Sequence, residues 1–154
     1  MLNLDTGTVC LEGLSLSPAL TLEAFRREFP RERIAGAWPV KTGYTWYYLK
    51  ETLYPQDDPV SLELCFTPEG RLMSLELHPS TTKGEPAWSE EAGQQQKALC
   101  DRWLNSYCGV SMPPAGFHTS QLDYPWGTLS TYYDPRSGNS GIVLSYQSHH
   151  ITDI

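Results

Sequence analysis

Two segments of this chain share one pattern: an apolar or aromatic run, a Pro-led turn that contains Gly, and a second such run. The first segment covers residues 60–77 with its turn at 67–70, and the second covers residues 126–146 with its turn at 134–138. Pro presets φ at the first corner of a turn, and Gly adopts the positive φ that closes a hairpin. Both segments therefore predict β-hairpins, and hence an antiparallel sheet.

Strand parity divides the first hairpin into an apolar face and a more polar face. On its first strand the apolar set is Val60, Leu62, Leu64 and Phe66. On its second strand parity predicts a buried set of Met73, Leu75 and Leu77, and a wetter set of Leu72, Ser74, Glu76 and His78. One buried and one wetter face is typical of an antiparallel meander that is covered on one side.

The range 21–30 predicts a short helix. Its apolar residues recur at spacings of three and four, which places them on one helical face: Leu22, Phe25 and Phe29. Either Thr21 or Ser17 is suited to cap the first turn, because each carries a hydroxyl that accepts a backbone N–H. Pro30 is expected to end the helix, since it has no N–H to donate.

A longer helix is predicted between Ser89, a suitable N-cap, and Gly109, a suitable C-terminal stop. Its apolar stripe consists of Ala92, Leu99, Cys100, Trp103, Leu104, Tyr107 and Cys108. Lys97 and Asp101 are four residues apart, and we expect this pair on the solvent-facing side. We expect the stripe to pack against the sheet.

The predicted elements form one α+β domain over residues 1–154: an antiparallel sheet, made of a meander and a C-terminal hairpin, packed against one long and one short helix. The range 8–11 adds a short strand, and the Pro- and Gly-containing range 111–124 is predicted to be a connection. A chain of 154 residues is long enough to bury about 70% of its unfolded surface.

The net charge of −7 argues against nucleic acid or an anionic membrane surface as a partner. It favours a protein partner with a basic surface. The first residues lack a signal-peptide pattern, and no apolar run is long enough for a membrane span. The cysteines are Cys10, Cys65, Cys100 and Cys108; they include no CxxC pair and are expected to be small buried residues. A reducing cytoplasm is the predicted location.

The aromatic range 38–53 is the main candidate for a binding surface. In an extended strand Tyr44, Trp46 and Tyr48 share one face, while Tyr47 and Leu49 lie on the other. Trp and Tyr are enriched at interaction hot spots, and acidic residues lie nearby. The predicted surface comprises Trp46, Tyr48, Tyr44, Glu51, Asp57 and Asp58. The alternative is that the rings fill the space between the sheet and the long helix.

A second candidate is a trio on the wetter face of the first hairpin. Glu63 and Glu76 are expected on facing strands, where like charges destabilise a sheet unless a cation or a partner lies between them. His78 completes the trio, which suits general acid–base chemistry. No motif with metal-ligand spacing is present, so no metal or cofactor is predicted. In the segment Gly-Asn-Ser-Gly (138–141), Gly138 is explained by the hairpin turn, and a catalytic role for Ser140 is not predicted.

Three local patterns are shared with small bacterial proteins, some of which resemble immunity proteins of contact-dependent or secreted toxin systems. The patterns are Ser-Pro-x-x-Thr-Leu-x-x-Phe (17–25), Leu-x-Phe-x-x-x-Gly-Arg-Leu (64–72) and Trp-Gly-x-x-x-x-x-Tyr-Asp-x-Arg-Ser-Gly (126–138). The resemblance implies a cytosolic inhibitor that blocks a toxin by surface complementarity, and it brings no catalytic residues.

The sequence therefore predicts a non-enzymatic protein-binding module of the immunity type, with a basic partner protein and no predicted oligomeric state. One alternative is a binder of a small ligand or carbohydrate that uses the aromatic strand. The other is a small hydrolase-like enzyme that uses Glu63, Glu76 and His78.

Overall fold

The computed structural model describes residues 2–11, 13–50, 52–53, 59–79 and 90–146. The elements before the first hairpin are β1 (Leu2–Asn3), β2 (Thr8–Leu11), β3 (Leu14–Leu16), α1 (Leu22–Glu28), a 3₁₀ turn (Arg31–Arg33), β4 (Ile34–Pro39), β5 (Thr45–Leu49) and β6 (Thr52–Leu53). They are followed by β7 (Pro59–Phe66), β8 (Leu72–Pro79), α2 (Glu90–Cys108), β9 (Pro114–Gly116), β10 (Thr119–Tyr124), β11 (Gly127–Tyr133) and β12 (Ser140–Tyr146).

The architecture is α+β, as the sequence predicts. The strand order of the main sheet is β4-β5-β7-β8-β12-β11-β10-β9, with β6 paired to β7, and its strands pair antiparallel. A small separate sheet has the order β1-β2-β3. The two predicted hairpins, β7–β8 and β11–β12, lie side by side because β8 pairs with β12.

Both hairpins form, but an irregularity changes the parity of the first one. Between Cys65 and Phe66 the register shifts, so that Cys65 lies opposite Ser74 and Phe66 lies opposite Leu72. Met73 is thereby left without an opposing residue. Leu72 is consequently buried and Met73 only half-buried, so the predicted faces of these two residues were wrong. One extra residue on a strand reverses the parity beyond it.

The short helix α1 begins after Thr21, whose hydroxyl accepts the N–H of Ala24 at 3.1 Å. Of the two caps that the sequence left open, Thr21 is therefore the one used. The helix ends at Glu28, before the expected stop at Pro30. The long helix α2 ends at Cys108, and the N–H of Gly109 donates to the carbonyl of Asn105 at 3.0 Å. Its predicted N-cap, Ser89, lies outside the described residues.

The two helices pack on different parts of one sheet face, which we call the inner face. Phe25 of α1 contacts Tyr47 and Phe66, with ring centroids 4.9 and 5.5 Å apart. The long helix lies against β8, β11 and β12, where it buries Cys100, Trp103 and Leu104. Tyr47 thus fills space under the short helix, not under the long one as the alternative for the aromatic strand required.

The pair Lys97 and Asp101 was predicted on the solvent-facing side of α2, and this prediction was wrong. Lys97 Nζ lies 2.9 Å from Asp101 Oδ2 and also donates to Ser120 Oγ at 2.9 Å. Thr131 Oγ1 donates to the other carboxylate oxygen of Asp101. The pair faces β10 and β11 because the range 111–124, predicted to be a connection, contains β9 and β10. Pro, Gly and exposed residues interrupt the alternation by which sequence patterns identify strands, so β9 and β10 were missed.

The four cysteines are free thiols. Cys65 and Cys100 are buried and Cys108 is half-buried, but Cys10 is exposed on β2, contrary to the expectation that the cysteines are buried. In the described part of the chain, no helix is long and apolar enough to cross a membrane.

Candidate functional site

The outer face of the main sheet, opposite the helices, carries the trio Glu63, Glu76 and His78. Glu63 on β7 and Glu76 on β8 occupy directly opposing positions in the antiparallel register. His78 lies two residues beyond Glu76 and therefore on the same face. The hairpin brings together the three side chains that the sequence placed on its wetter side.

The imidazole of His78 lies between the two carboxylates. Its Nε2 is 2.8 Å from Glu63 Oε2 and 3.1 Å from Glu76 Oε2. Its Nδ1 is 3.1 Å from the backbone carbonyl of Ser140 on β12, to which it donates. Since both ring nitrogens face oxygen acceptors, the ring is held as an imidazolium. This is the cation that two facing glutamates require.

Gly141 on β12 provides the space in which the imidazole lies. A Cβ atom at this position would be 2.8 Å from Cε1 and 2.9 Å from Nδ1 of His78, closer than van der Waals contact allows. It would also be 3.4 Å from Cε1 of Tyr132. A side chain at 141 would thus displace the histidine ring from the carboxylates.

Tyr132 joins the trio from β11, with β12 between it and β8. Its hydroxyl donates to Glu76 Oε2 at 3.2 Å. Burial and the neighbouring Glu76 raise the pKa of Tyr132 above its ordinary value, so the phenol stays protonated and remains a donor. Tyr132 therefore fixes one of the two carboxylates from outside the hairpin.

The pKa values of the trio follow from these contacts. Burial alone would lower the pKa of His78, but hydrogen bonds and charges from Glu63 and Glu76 outweigh it and raise that pKa from 6.5 to about 10. The hydrogen bond from His78 lowers the pKa of Glu63 below its ordinary 4.5, against the opposing effect of burial. Near neutral pH, His78 is thus charged and Glu63 is ionised.

An open pocket of about 410 Å³ lies over the trio. We call it the outer pocket, and its lining residues are Trp46, Tyr48, Glu63, Glu76, His78, Tyr132 and Asn139. One wall is therefore aromatic, from β5, and the floor is charged, from β7 and β8. The aromatic and carboxylate candidates, which the sequence presented as separate sites, meet in one place.

The aromatic strand β5 divides its rings between the two faces as parity predicts. Tyr47 is in the core, while Trp46 and Tyr48 are half-buried on the outer face. Trp38 on β4 lies opposite Trp46 and is 63% exposed. We call Trp38, Trp46 and Tyr48 the aromatic rim.

Tyr44, a further residue of the predicted binding surface, is not among the residues that line the outer pocket. Tyr44 is half-buried directly before β5, and its carbonyl accepts the N–H of Val40 at 2.8 Å. Glu51, Asp57 and Asp58 lie outside the described residues. The rim is thus bordered, among the described acidic residues, by Glu63 and Glu76.

Sequence reasoning did not identify Tyr132, Asn139 and Gly141 as parts of this site. They belong to the second hairpin, and they reach the first only because β12 pairs with β8. The one local signal was the outward parity of Tyr132 on a strand whose alternate residues are buried. Parity shows on which face of the sheet Tyr132 lies, but it does not show that Tyr132 contacts Glu76.

The trio also has the composition of a metal-binding group. Three potential ligand atoms, one from each of Glu63, Glu76 and His78, lie within 4.8 Å of one another. One ring nitrogen and two carboxylate oxygens form a ligand set used for divalent transition metals.

Comparison of the chain with protein-family models, with curated proteins and with solved structures finds no match in any of the three.

Proposed function

We propose that this protein is a non-enzymatic binding protein that contacts a partner protein with a basic surface through the outer face of its main sheet. The observation that carries the proposal is the aromatic rim beside paired carboxylates on a sheet face that the two helices leave uncovered. Large rings next to ionised carboxylates are a surface composition that suits Arg- and Lys-bearing partners.

The rim supplies contact area at low entropic cost. Trp38 and Trp46 occupy opposing positions on β4 and β5, and Tyr48 is two residues along the same face. Tyr47 anchors β5 from the other side through its ring contacts with Phe25 and Phe66. Rings on a strand fixed in this way lose little freedom on binding, which is the property of hot-spot residues.

Charge supports the same choice of partner. The chain carries a net charge of −7, so its field attracts a basic surface over a distance of about a Debye length, 8–10 Å at physiological salt. Such attraction mainly raises the association rate, while the buried rings determine the lifetime of the complex. Charge therefore speeds the first encounter with the partner protein, and the aromatic rim slows its dissociation.

Fixed protonation states support binding rather than general acid–base catalysis. A catalytic acid or base works best with a pKa near the operating pH. The pKa of His78 is raised to about 10, that of Glu63 is lowered, and that of Tyr132 is raised. Near neutral pH each of these groups keeps its proton state, which suits recognition.

An immunity-type inhibitor, the class that the sequence resembles, would act in this way by covering a basic site on a toxin. Four free thiols suit a reducing cytoplasm, where we place the protein.

The test compares the wild type with Trp46→Ala and Tyr48→Ala in parallel affinity purifications from the native host. A protein retained by the wild type is identified by mass spectrometry, purified, and titrated by calorimetry. We expect each substitution to weaken its binding by about 10- to 100-fold, because hot-spot truncation costs about 1.4–2.8 kcal/mol.

Phe117→Ala is the matched control. Phe117 is 89% exposed and lies in the β9–β10 turn, at the opposite edge of the sheet from β4 and β5. We expect this variant to bind as the wild type does. If Trp46→Ala and Tyr48→Ala remain folded and bind the partner as tightly as the wild type, the proposal is wrong.

The outer pocket favours a second candidate, a small-ligand or carbohydrate binder. Its volume of about 410 Å³ falls in the range of small-molecule sites. A thermal-shift screen of sugars and small organic cations separates the two candidates. A ligand that stabilises the wild type but not Trp46→Ala, without any protein partner in the purifications, would support the second.

A further inference from the structure

We propose that Glu63, Glu76 and His78 bind a divalent transition-metal ion, for which Zn²⁺ is the reference, at the floor of the outer pocket. This inference goes beyond the proposed function and does not rest on it, because the site is complete within the isolated chain. The ion is expected to occupy the point between the three side chains at which Nε2 of His78 now faces both carboxylates. It replaces the Nε2 proton of the imidazolium, which is released to solvent, while the Nδ1 proton stays on the Ser140 carbonyl.

The distances within the trio match those of a coordination sphere. Zn²⁺ binds nitrogen and carboxylate oxygen at about 2.0–2.2 Å, so neighbouring ligand atoms in a tetrahedral site are about 3.3 Å apart. Nε2 of His78 is 2.8 Å from Glu63 Oε2 and 3.1 Å from Glu76 Oε2. Both nitrogen–oxygen distances therefore need to lengthen by about 0.2–0.5 Å, and the two carboxylate oxygens lie within 4.8 Å of each other.

Groups outside the trio orient the ligands. Nδ1 of His78 donates to the carbonyl of Ser140 at 3.1 Å, which directs Nε2 toward the carboxylates. A histidine that binds a metal through one nitrogen commonly donates the other N–H to a carbonyl or carboxylate. The hydroxyl of Tyr132 donates to Glu76 Oε2 at 3.2 Å. Two strands outside the hairpin therefore hold the ligand set in place.

Gly141 makes this arrangement possible. Its missing side chain leaves room for the imidazole, since a Cβ would be 2.8 Å from Cε1 of His78. The short β8–β12 pairing brings the Ser140 carbonyl and this space to the same ring. The backbone of β12 therefore fixes the position of the His78 ring. A simple surface ion pair between His78 and the glutamates would not need such a fixed position.

The chemistry of the ligands selects the class of ion. Two carboxylates and one imidazole provide too few oxygens for Ca²⁺, and Mg²⁺ prefers an all-oxygen sphere. Zn²⁺, Co²⁺, Mn²⁺ and Fe²⁺ accept mixed nitrogen and oxygen ligands. The pocket opens above the trio, so the remaining coordination positions face solvent or a bound ligand.

The test titrates the purified, tag-free, chelator-treated protein with Zn²⁺ by calorimetry and with Co²⁺ by visible absorption. We expect one ion per chain at this site. Glu63→Gln, Glu76→Gln and His78→Gln are each expected to weaken binding by more than about 100-fold. Tyr132→Phe retains all three ligands but removes an orienting hydrogen bond, so it should weaken binding by about 10-fold.

Controls address the other candidate ligands in the chain. His118→Gln and Cys10→Ser alter a half-buried histidine and an exposed thiol at positions away from the trio, and both should bind as the wild type does. The double variant His149→Gln/His150→Gln should also bind normally. Because a ligand substitution can impair folding, each variant is checked by circular dichroism, and Glu63→Gln and Tyr132→Phe provide independent readouts.

Two results would overturn the inference: no saturable binding of Zn²⁺ or Co²⁺ by the wild type, or binding that persists unchanged in the folded Glu63→Gln and Glu76→Gln variants. Loss of binding in His149→Gln/His150→Gln alone would locate the ion at those residues and would equally overturn it. The binding experiments with the partner protein use no metal, so failure of this inference leaves the proposed function standing, and the reverse also holds.

Discussion

The inner and outer faces of the β7–β8 hairpin use alternate residues of the same strands, yet different forces stabilise them. On the inner face Leu62 lies opposite Leu77 and Leu64 opposite Leu75, and each of the four is at most 1% exposed. On the outer face, between these pairs, Glu63 lies opposite Glu76. The inner face is stabilised by burial, whereas the outer face needs His78 between its two carboxylates, together with a hydrogen bond from Tyr132.

The two faces differ in how much they depend on contacts with segments that are distant in the sequence. An apolar face packs against whatever apolar surface covers it, because the hydrophobic effect has no direction. The outer trio needs a carbonyl from Ser140, a missing side chain at Gly141 and a hydroxyl from Tyr132, all from the other hairpin. The inner face should therefore tolerate conservative changes, while the outer face should depend on single atoms.

The largest expected effect is that of Leu75→Ala on the inner face. Leu75 is fully buried and pairs with Leu64 and Leu144 on its two neighbouring strands. Removing the buried atoms and leaving a cavity should lower the free energy of unfolding by about 2–5 kcal/mol. Urea denaturation, followed by circular dichroism, measures this loss in the free energy of unfolding.

Val143→Ala is the control for this prediction. Val143 is half-buried on the outer face, opposite Glu76, so its truncation should cost less than about 1.5 kcal/mol. Equal losses for the two variants would contradict the distinction between the faces.

The second largest effect is expected for Gly141→Ala. The added Cβ would lie 2.8 Å from Cε1 of His78, so the ring must move away from the carboxylates. We expect a loss of about 1–3 kcal/mol in the free energy of unfolding and a lower pKa of His78. NMR titration of the imidazole measures the latter.

Gly116→Ala separates this steric effect from the general consequence of replacing a glycine. Gly116 is in an edge strand, and a Cβ there meets no atom within 4 Å. Gly116→Ala should leave the pKa of His78 unchanged and should change the free energy of unfolding by less than about 0.5 kcal/mol. A similar fall in the His78 pKa for both variants would show that the space at Gly141 does not position the ring.

The two faces also differ in how far the sequence could predict them. The alternation of Val60, Leu62 and Leu64 predicted the inner face correctly, and the hairpin turn predicted that Glu63 and Glu76 face each other. Sequence patterns are local, so they could not reveal that β12 pairs with β8 and brings Gly141 beside His78. The extra residue at Met73 was missed for another reason: an irregularity in register leaves no mark in the alternation.

The pH dependence of stability follows from the outer trio. The pKa of His78 is raised from 6.5 to about 10 in the folded state. Its stabilising contribution is therefore complete below pH 6.5 and declines as pH rises toward 10, because the folded state then binds more protons than the unfolded state. The decline has a limiting slope of about 1.4 kcal/mol per pH unit.

Glu63 acts in the opposite direction. Its pKa is lowered from 4.5, so its contribution is complete above pH 4.5 and is lost as pH falls through the lowered value. The trio thus stabilises the metal-free protein most between about pH 4.5 and 6.5. Urea denaturation of the wild type and of His78→Gln between pH 6.5 and 8.5 measures the contribution of His78 to the free energy of unfolding, because the groups that both proteins share, including the thiols, cancel in the comparison. A stability difference between the two that stays constant over that range would contradict the raised pKa.

The smallest effect is expected for the hydrogen bond that links the two hairpins across β12. Tyr132→Phe removes only the hydroxyl that donates to Glu76 Oε2, and a hydrogen bond to a charged acceptor contributes about 1.5–3 kcal/mol when buried and less where solvent reaches it. Tyr132 and Glu76 are both half-buried, so we expect a loss of about 1 kcal/mol. Solvent at the open pocket can replace part of the lost contact.

A double-mutant cycle with Glu76→Gln isolates this contact from the packing of the ring. We expect a coupling free energy of about 0.5–1 kcal/mol between positions 132 and 76, and a smaller one between 132 and 63, since Tyr132 contacts Glu76 directly. No coupling between 132 and 76 would mean that the second hairpin contributes only space and a backbone carbonyl. The second hairpin would then stabilise the outer face only through its contacts with the His78 ring. The difference between the two faces would come from that one side chain.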